Sequence, residues 1–213
     1  MPDQIAELRK QLQALELDGF IVPRFDAHQG EYIAPHDERL HYLTNFSGSA
    51  GMAIVTHETV AMFVDGRYSV QVKEECIGDH FSYHHLFDAP PEDWLAQQFE
   101  QGARIGVDAM HLPPVWFDRF VTALSARGIR MQAVEDNPVD VIWRDHPAKP
   151  MGQVSAMPVQ FAGQSAADKI AGTIAAMKHQ GVIFHIETQP DNIAWLLNVR
   201  GNDVAFLPAP SHF

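Results

Sequence analysis

The densest run of side chains able to do chemistry reads Arg24-Phe25-Asp26-Ala27-His28-Gln29-Gly30-Glu31-Tyr32-Ile33-Ala34-Pro35-His36-Asp37. Aspartate, glutamate and histidine are the ligands of divalent-metal sites, so this run admits a metal-site reading. The competing reading is structural, with Asp37 capping a helix, His28 and His36 as loop residues and Glu31 on the surface. The twelve histidines of the chain show no sustained ligand spacing. His84 and His85, adjacent on an expected strand, point to opposite faces.

Three further positions invite a chemical reading. Gly48-Ser49-Ala50-Gly51 follows an expected helix and precedes a strand, the reverse of the order that aims a helix N-terminus at a phosphate, which argues against a nucleotide site. Ser47 and Ser49 lack the strand-turn-helix pattern of an activated serine, and Cys76 falls in an expected helix with no activating partner, so all three read as structural. Arg67 follows the Asp65-Gly66 turn at a strand end, where a planar cation suits recognition of a carbonyl or carboxylate. A salt bridge from Arg67 to Asp65 or to a nearby glutamate is the alternative.

These groups must be positioned by the surrounding elements. From Ile5 to Leu17 the apolar residues Ile5, Leu8, Leu12 and Leu15 recur at spacings of three and four and Gly19 closes the pattern, which predicts an amphipathic helix. Phe20-Ile21-Val22 reads as a buried strand ended by Pro23, and Glu38 to Asn45 as a second helix. Met52 to Thr56 and Thr59 to Val64 form a hairpin across His57-Glu58. A helix from Tyr68 to Cys76, a strand from Phe81 to Phe87 and a helix from Pro91 to Phe99 follow. Arg104 to Val107 is a strand, Pro114 to Ala126 a helix, and Gly128 to Val134 a strand. Strands alternating with helices predict an α/β layered domain with a mixed, mostly parallel sheet.

The chain is 213 residues long with 46% hydrophobic side chains, enough for a real core, and a net charge of −12 makes nucleic acid and anionic membranes poor partners. One cysteine and a polar, acidic start at Met1-Pro2-Asp3-Gln4 predict a soluble cytoplasmic protein. The stretch Arg144 to Gly152 reads as a linker. Residues 151–213 carry three basic and four acidic side chains, against twelve and twenty-three in residues 1–150, so much of the second segment's surface expects a neighbour. That segment also repeats the first: a stripe of Ile170, Ile174 and Met177 before Gly181, a strand at Val182-Ile183-Phe184, then a helix from Asp191 to Asn198 and an apolar-Asn-x-x-Gly exit. The repeat stops at Phe213, and this predicts a domain over 1–150 and a truncated second one over 151–213.

The runs Asp26 to Pro35, Gly48 to Gly51 and Asp65-Gly66-Arg67-Tyr68, with Gly106-Val107-Asp108, Ile142-Trp143 and Ile193 to Gly201, closely resemble the N-terminal region of long-form Xaa-Pro aminopeptidases. The resemblance covers essentially the whole chain. It departs at Asp145-His146-Pro147, where the family reads an Asp-Arg-Pro-like linker, and at Ala205-Phe206-Leu207. It implies a creatinase-N-like, ribonuclease H-like three-layer domain, then the start of a similar one. A C-terminal pita-bread catalytic domain with two divalent metal ions, manganese or zinc, would lie outside this chain. Asp26 and Asp37 have the separation of that domain's two metal aspartates but stand in the N-terminal motif, so no metal ligand and no catalytic residue is expected here.

The implied reaction releases the first residue of a peptide with proline second, a tertiary amide of restricted rotation that ordinary aminopeptidases handle badly. In that scheme Arg67 reaches bound peptide, Glu31 faces the same cleft, and His28 and Tyr32 support it. The partners implied are the chain's own catalytic domain and a second copy in a homodimer. A stand-alone creatinase-N-like module that presents Arg67 and Glu31 to a peptide or partner is the alternative, and a creatinase or proline dipeptidase layout is a third.

Overall fold

The computed structural model describes residues 4–211, so the expectations placed on Met1-Pro2-Asp3 and on Phe213 lie outside the described residues. The chain divides into two compact units. One runs up to Glu31 and resumes over Pro35–Pro147, and the other joins Tyr32–Ala34 to the chain from Ala148 onward.

The first unit is built on a six-stranded sheet. Helix α1 (Gln4–Ala14) leads into β1 (Gly19–Pro23), then α2 (Arg39–Thr44), β2 (Met52–Thr56), β3 (Val60–Val64), α3 (Gln71–Glu75) and β4 (Phe81–His85). Helix α4 (Pro91–Gln98), β5 (Arg104–Val107), α5 (Pro114–Ser125), β6 (Arg130–Ala133) and α6 (Pro138–Ile142) complete it. The strand order is β4-β3-β2-β1-β5-β6. The β1–β2 and β2–β3 pairs are antiparallel, whereas β3–β4, β1–β5 and β5–β6 are parallel.

Strands β1, β2 and β3 are buried along their whole length because both faces are covered, which is why they read as unbroken apolar runs. Alternate side chains feed two cores. Phe20, Val22, Val55 and Met62 pack with Leu8 and Leu12 of α1 and Leu40 and Leu43 of α2, while Ile21, Ile54 and Phe63 pack with Leu95 of α4 and Phe120 and Leu124 of α5. Helix, sheet and helix therefore form three layers.

Several expectations are corrected. The first helix stops at Ala14, because Glu16 takes a left-handed conformation (φ 54°) and drops Leu17 into the core. Asp37 does not cap α2. That helix starts at Arg39 after Glu38, and the Asp37 carboxylate is taken by Arg39 at 3.1 Å. The expected Tyr68–Cys76 helix is split into a 3-10 turn over Gly66–Tyr68 and the short α3, with Cys76 as its last cap. Burial pushes the Cys76 thiol up to about 11, so it is not a nucleophile.

The second unit contains β7 (Ser155–Ala156), α7 (Val159–Ala162), α8 (Ala166–His179), α9 (Pro190–Leu197) and β8 (Val199–Arg200), with β7 and β8 paired antiparallel. Both repeated helices end alike: Asn45 after α2 (φ 61°) and Asn198 after α9 (φ 53°) are left-handed caps. Val182-Ile183-Phe184 is not a strand. No strand lies beside it among the described residues, and Ile183 is 89% exposed, so its backbone has nothing to pair with. Helix α9 is instead held through Lys169 of α8, whose ammonium donates to the carbonyl of Trp195 at 2.8 Å and to Oδ1 of Asn198 at 2.6 Å and lies over the Trp195 ring.

Candidate functional site

Sheet register gathers the motif segments. Pro23 at the end of β1 faces Met52 at the start of β2, and Met52 faces Phe63 near the end of β3. The loops that leave β1, enter β2 and leave β3 are thus neighbours, and they are the segments holding Arg24–Glu31, Gly48–Gly51 and Asp65–Tyr68. The Arg24 N–H donates to the Gly51 carbonyl at 3.0 Å, the first contact beyond the ladder.

Arg24 then knits the loops together. Its nearly buried guanidinium donates to the carbonyls of Glu31 at 3.0 Å and Ser49 at 3.1 Å and to the carboxylate of Glu38 at 3.2 Å. Asp26, 6% exposed, accepts the backbone N–H groups of His28 at 3.0 Å and Gly30 at 2.8 Å, closing a turn in which Gln29 is left-handed (φ 62°). Gly48 is required by close packing, since a Cβ there would come within 2.3 Å of the Phe46 ring. Phe46 packs edge-on against Tyr68, whose hydroxyl meets that of Ser49 at 2.7 Å. Hydrogen bonding to Ser49 holds the Tyr68 phenol below its ordinary range.

Arg67 projects from this floor with its side chain 61% exposed. Nε donates to Asp65 at 3.0 Å and Nη2 at 2.8 Å, and the guanidinium lies 5.0 Å from the Tyr68 ring centre. The hydrogen bonds to Asp65, and after them the field of Tyr68 and Glu31, raise its pKa further. The salt bridge to Asp65 therefore forms, and Nη1 is left without a hydrogen-bond partner among the described residues. Glu31 is exposed and His28 half-buried on the same loop of the first unit. Tyr32 belongs to the second unit, where its ring lies 5.8 Å from that of Phe206.

Neither Asp26 nor Asp37 fits a metal site, because the first is committed to two backbone N–H groups and the second to Arg39. Among the described residues no group of three or more His, Cys, Asp or Glu side chains is arranged to hold an ion. Asp26→Ala should leave the N–H groups of His28 and Gly30 unpaired and cost about 1.5–3 kcal/mol, read from the urea midpoint of the first unit. An unchanged midpoint would refute the role given to this carboxylate.

At the same end of the sheet lies an ionic cluster that reading along the sequence missed. Arg39 donates to both oxygens of Asp140 at 2.7 and 2.8 Å and to Asp37 at 3.1 Å. His111 Nδ1 meets Asp108 at 2.8 Å and its Nε2 lies 3.7 Å from Asp37 and 3.2 Å from Arg39. Asn137 donates to Asp108 at 3.0 Å. Burial opposes charge on His111, but the hydrogen bonds to Asp108 and Asp37 outweigh it and the nearby Arg39, and push its pKa up to about 9. Three carboxylates around one guanidinium leave the cluster short of positive charge, which the imidazolium partly restores. Burial likewise raises the carboxyls of Asp37 and Asp108, yet their hydrogen bonds to His111, with Arg39 and Asn137 respectively, hold both below the usual range. The only signal in the sequence was Asp108 directly after β5, since Arg39 and Asp140 are 101 residues apart.

Residues 4–137 match a family model described as the creatinase/prolidase N-terminal domain, and residues 145–211 match a second model with the same description. Over 208 residues the chain is 35% identical to a probable Xaa-Pro aminopeptidase P of Leptosphaeria maculans, covering 97% of this chain and 33% of that protein. It is 33% identical to aminopeptidase P1 of Lotus japonicus over 92% of this chain and 30% of that protein. A crystal structure of an X-prolyl aminopeptidase from Caenorhabditis elegans, described as a cytosolic enzyme with a di-nuclear active site, superposes with a TM-score of 0.88 at 26% identity, over 97% of this chain and 35% of that one. The N-terminal domain of the cytoplasmic peptidase PepQ from Mycobacterium tuberculosis, at 17% identity and a TM-score of 0.50 over 65% of this chain and 97% of that one, shares the fold. The chain spans about a third of the length of the curated relatives it matches.

Proposed function

The chain belongs to the creatinase/prolidase N-terminal domain family, and from that membership we propose that it is the non-catalytic N-terminal portion of a metal-dependent Xaa-Pro aminopeptidase. In this reading the whole protein releases the first residue of peptides with proline second. Its two divalent metal ions, manganese or zinc, sit in a catalytic domain outside residues 1–213. Residues 1–150 form the first creatinase-N-like domain, and 151–213 the linker and start of a second. The protein works in the cytoplasm as a homodimer. No helix among the described residues is long and apolar enough to cross a membrane.

The observation that carries the reading is Arg67. Asp65 fixes two of its nitrogens and leaves Nη1 without a hydrogen-bond partner among the described residues, within the field of Glu31, at the sheet end where the motif loops meet. A guanidinium oriented in this way suits a peptide carbonyl or terminal carboxylate, to which it supplies binding and orientation. Glu31 and His28 are assigned to the same peptide-facing wall, and Tyr32 is likewise assigned to peptide binding.

Two measurements test this. Residues 1–213 alone should hold no stoichiometric manganese or zinc after dialysis and should not cleave an Arg-Pro-Pro peptide; turnover or a metal bound through Asp26 and Asp37 refutes the assignment. In the chain extended through its catalytic domain, Arg67→Ala should lower kcat/KM by about tenfold or more, more for tripeptides than for dipeptides, with metal content unchanged. Arg67→Lys should restore only part of it, because a point charge cannot reproduce the planar fork. Unchanged kinetics with lowered stability would make Arg67 a structural partner of Asp65 and nothing more.

A further inference from the structure

The sequence holds two Asp-Gly pairs and no Asn-Gly pair. An aspartate followed by glycine is the arrangement in which a main-chain nitrogen reaches a side-chain carboxyl with least hindrance, because glycine presents no side chain to the attack and leaves the backbone free to bend into a five-membered ring. Asp18-Gly19 is locked against this. Gly19 opens β1 and is paired with Thr56 on one side and Ile105 on the other, so its backbone is held extended.

Asp65-Gly66 is built differently. It directly follows β3, with Gly66 exposed and its N–H donating to nothing among the described residues. A methyl group added at Gly66 would meet Nε2 of His85 at 3.7 Å and nothing nearer beyond its chain neighbours, so packing does not call for glycine there. What restrains the aspartate is the residue after the glycine. Both Asp65 oxygens are taken by Arg67: Oδ1 accepts its main-chain N–H at 2.9 Å and its Nε at 3.0 Å, and Oδ2 accepts Nη2 at 2.8 Å. The side-chain hydrogen bonds from Arg67, with its main-chain N–H and its charge, outweigh burial and hold the Asp65 carboxyl below its ordinary range, ionised and therefore a poor electrophile.

From this we infer that Asp65-Gly66 is a latent covalent modification site, open to spontaneous isomerisation to isoaspartate and held back by Arg67. The step needs only water. The Gly66 nitrogen attacks Cγ of Asp65, an N–Cγ bond forms, and one carboxyl oxygen leaves as water with the carboxyl proton and the amide proton. Water then adds at the main-chain carbonyl carbon of Asp65 and cleaves its bond to the Gly66 nitrogen, so the chain runs on through Cγ with a free α-carboxylate and no net change in mass. Before the attack the carboxyl has to take up a proton and turn from Arg67, and both changes give up the same charge-assisted hydrogen bonds. After it, the main chain is one carbon longer beneath Arg67 and the carboxylate no longer stands where the guanidinium is fastened. The inference rests on the Asp65–Arg67 pair and stands whether or not peptide binds at Arg67.

The 213-residue chain, held for weeks at physiological temperature and neutral pH, should keep Asp65 intact. Isoaspartate is read in two ways: by loss of cleavage at residue 65 with an endoprotease that cuts before aspartate, and by methyl transfer from a methyltransferase specific for isoaspartate. Arg67→Ala should accumulate isoaspartate at residue 65 roughly tenfold faster, the size expected when a charge-assisted pair no longer has to be broken before the attack. Adding Gly66→Ala to that variant puts a methyl group beside the attacking nitrogen and should bring the rate back to the parent's or below. Arg67→Lys keeps the charge without the planar fork, so it should fall between the parent and Arg67→Ala, and it carries the test if Arg67→Ala does not fold. Asp18 should stay unmodified throughout. Equal rates at residue 65 in the parent and the Arg67 variants, or conversion that Gly66→Ala does not suppress, overturns the inference.

Discussion

Arg39→Ala should be the most damaging single substitution in the first unit, lowering its stability by roughly 3–5 kcal/mol. Among the described residues Arg39, 5% exposed, is the one cation in contact with both Asp37 and Asp140, and it ties α2 to α6 across 101 residues of chain. Removing it leaves two carboxylates facing each other in a poorly solvated setting while their separate helices lose the link. At roughly 2–4 °C per kcal/mol for a unit of this size, the thermal midpoint should fall by about 10 °C or more. Arg39→Lys should recover little, since the bidentate geometry to Asp140 needs two nitrogens in one plane. Replacing all three charged residues by apolar ones of similar volume should cost less than Arg39→Ala alone, because no unpaired charge remains. A midpoint for Arg39→Ala within 2 °C of the parent would show that the cluster is solvated and contributes nothing.

The second large effect is on pH dependence. The folded pKa of His111 is raised to about 9, above the unfolded value near 6.5, so the imidazolium's contribution is fully present below about pH 6.5 and lost as pH rises through about 9. The shift corresponds to about 3 kcal/mol at its limit. Asp37 and Asp108 run the other way, since their lowered values give stability that is present above about pH 4 and lost as acid titrates them in the folded state. The first unit should therefore be most stable on a plateau between these limits, with an alkaline decline that sets in above about pH 6.5 and is complete near pH 9. Urea midpoints taken from pH 6 to pH 10 test this against His111→Gln, whose curve should be flat between pH 6.5 and 9 and lie below the parent's at neutral pH. Parallel curves for the two proteins would assign the alkaline decline to some other group.

The elements of the first unit were largely legible because their signals are local. Buried central strands must be apolar at every position, so Phe20-Ile21-Val22, Met52 to Thr56 and Val60 to Val64 stand out, and an amphipathic helix such as Ile5 to Leu12 needs only one apolar stripe. Val182-Ile183-Phe184 has the same apolar composition and is no strand, because composition states what a segment would bury and not whether a partner lies beside it. Asp37 illustrates the same limit at a single residue. Its position before a helix suggested a cap, but a guanidinium two residues on and an imidazole from a loop 74 positions away take its carboxylate instead.

For the candidate site, residue types and spacing along Arg24–Asp37 and Asp65–Tyr68 sufficed to mark the loops and the family, and left open the Arg67–Asp65 pair that the structure forms, since each rests on contacts between near neighbours in the chain. What tertiary structure alone decided is how those loops meet. The register Pro23–Met52–Phe63 brings three distant segments to one end of the sheet, and the parallel placement of β5 beside β1 adds Asp108 and His111 there. Strand order and register are set by packing among all the layers at once, and a long-range pairing carries no mark in either of the segments it joins.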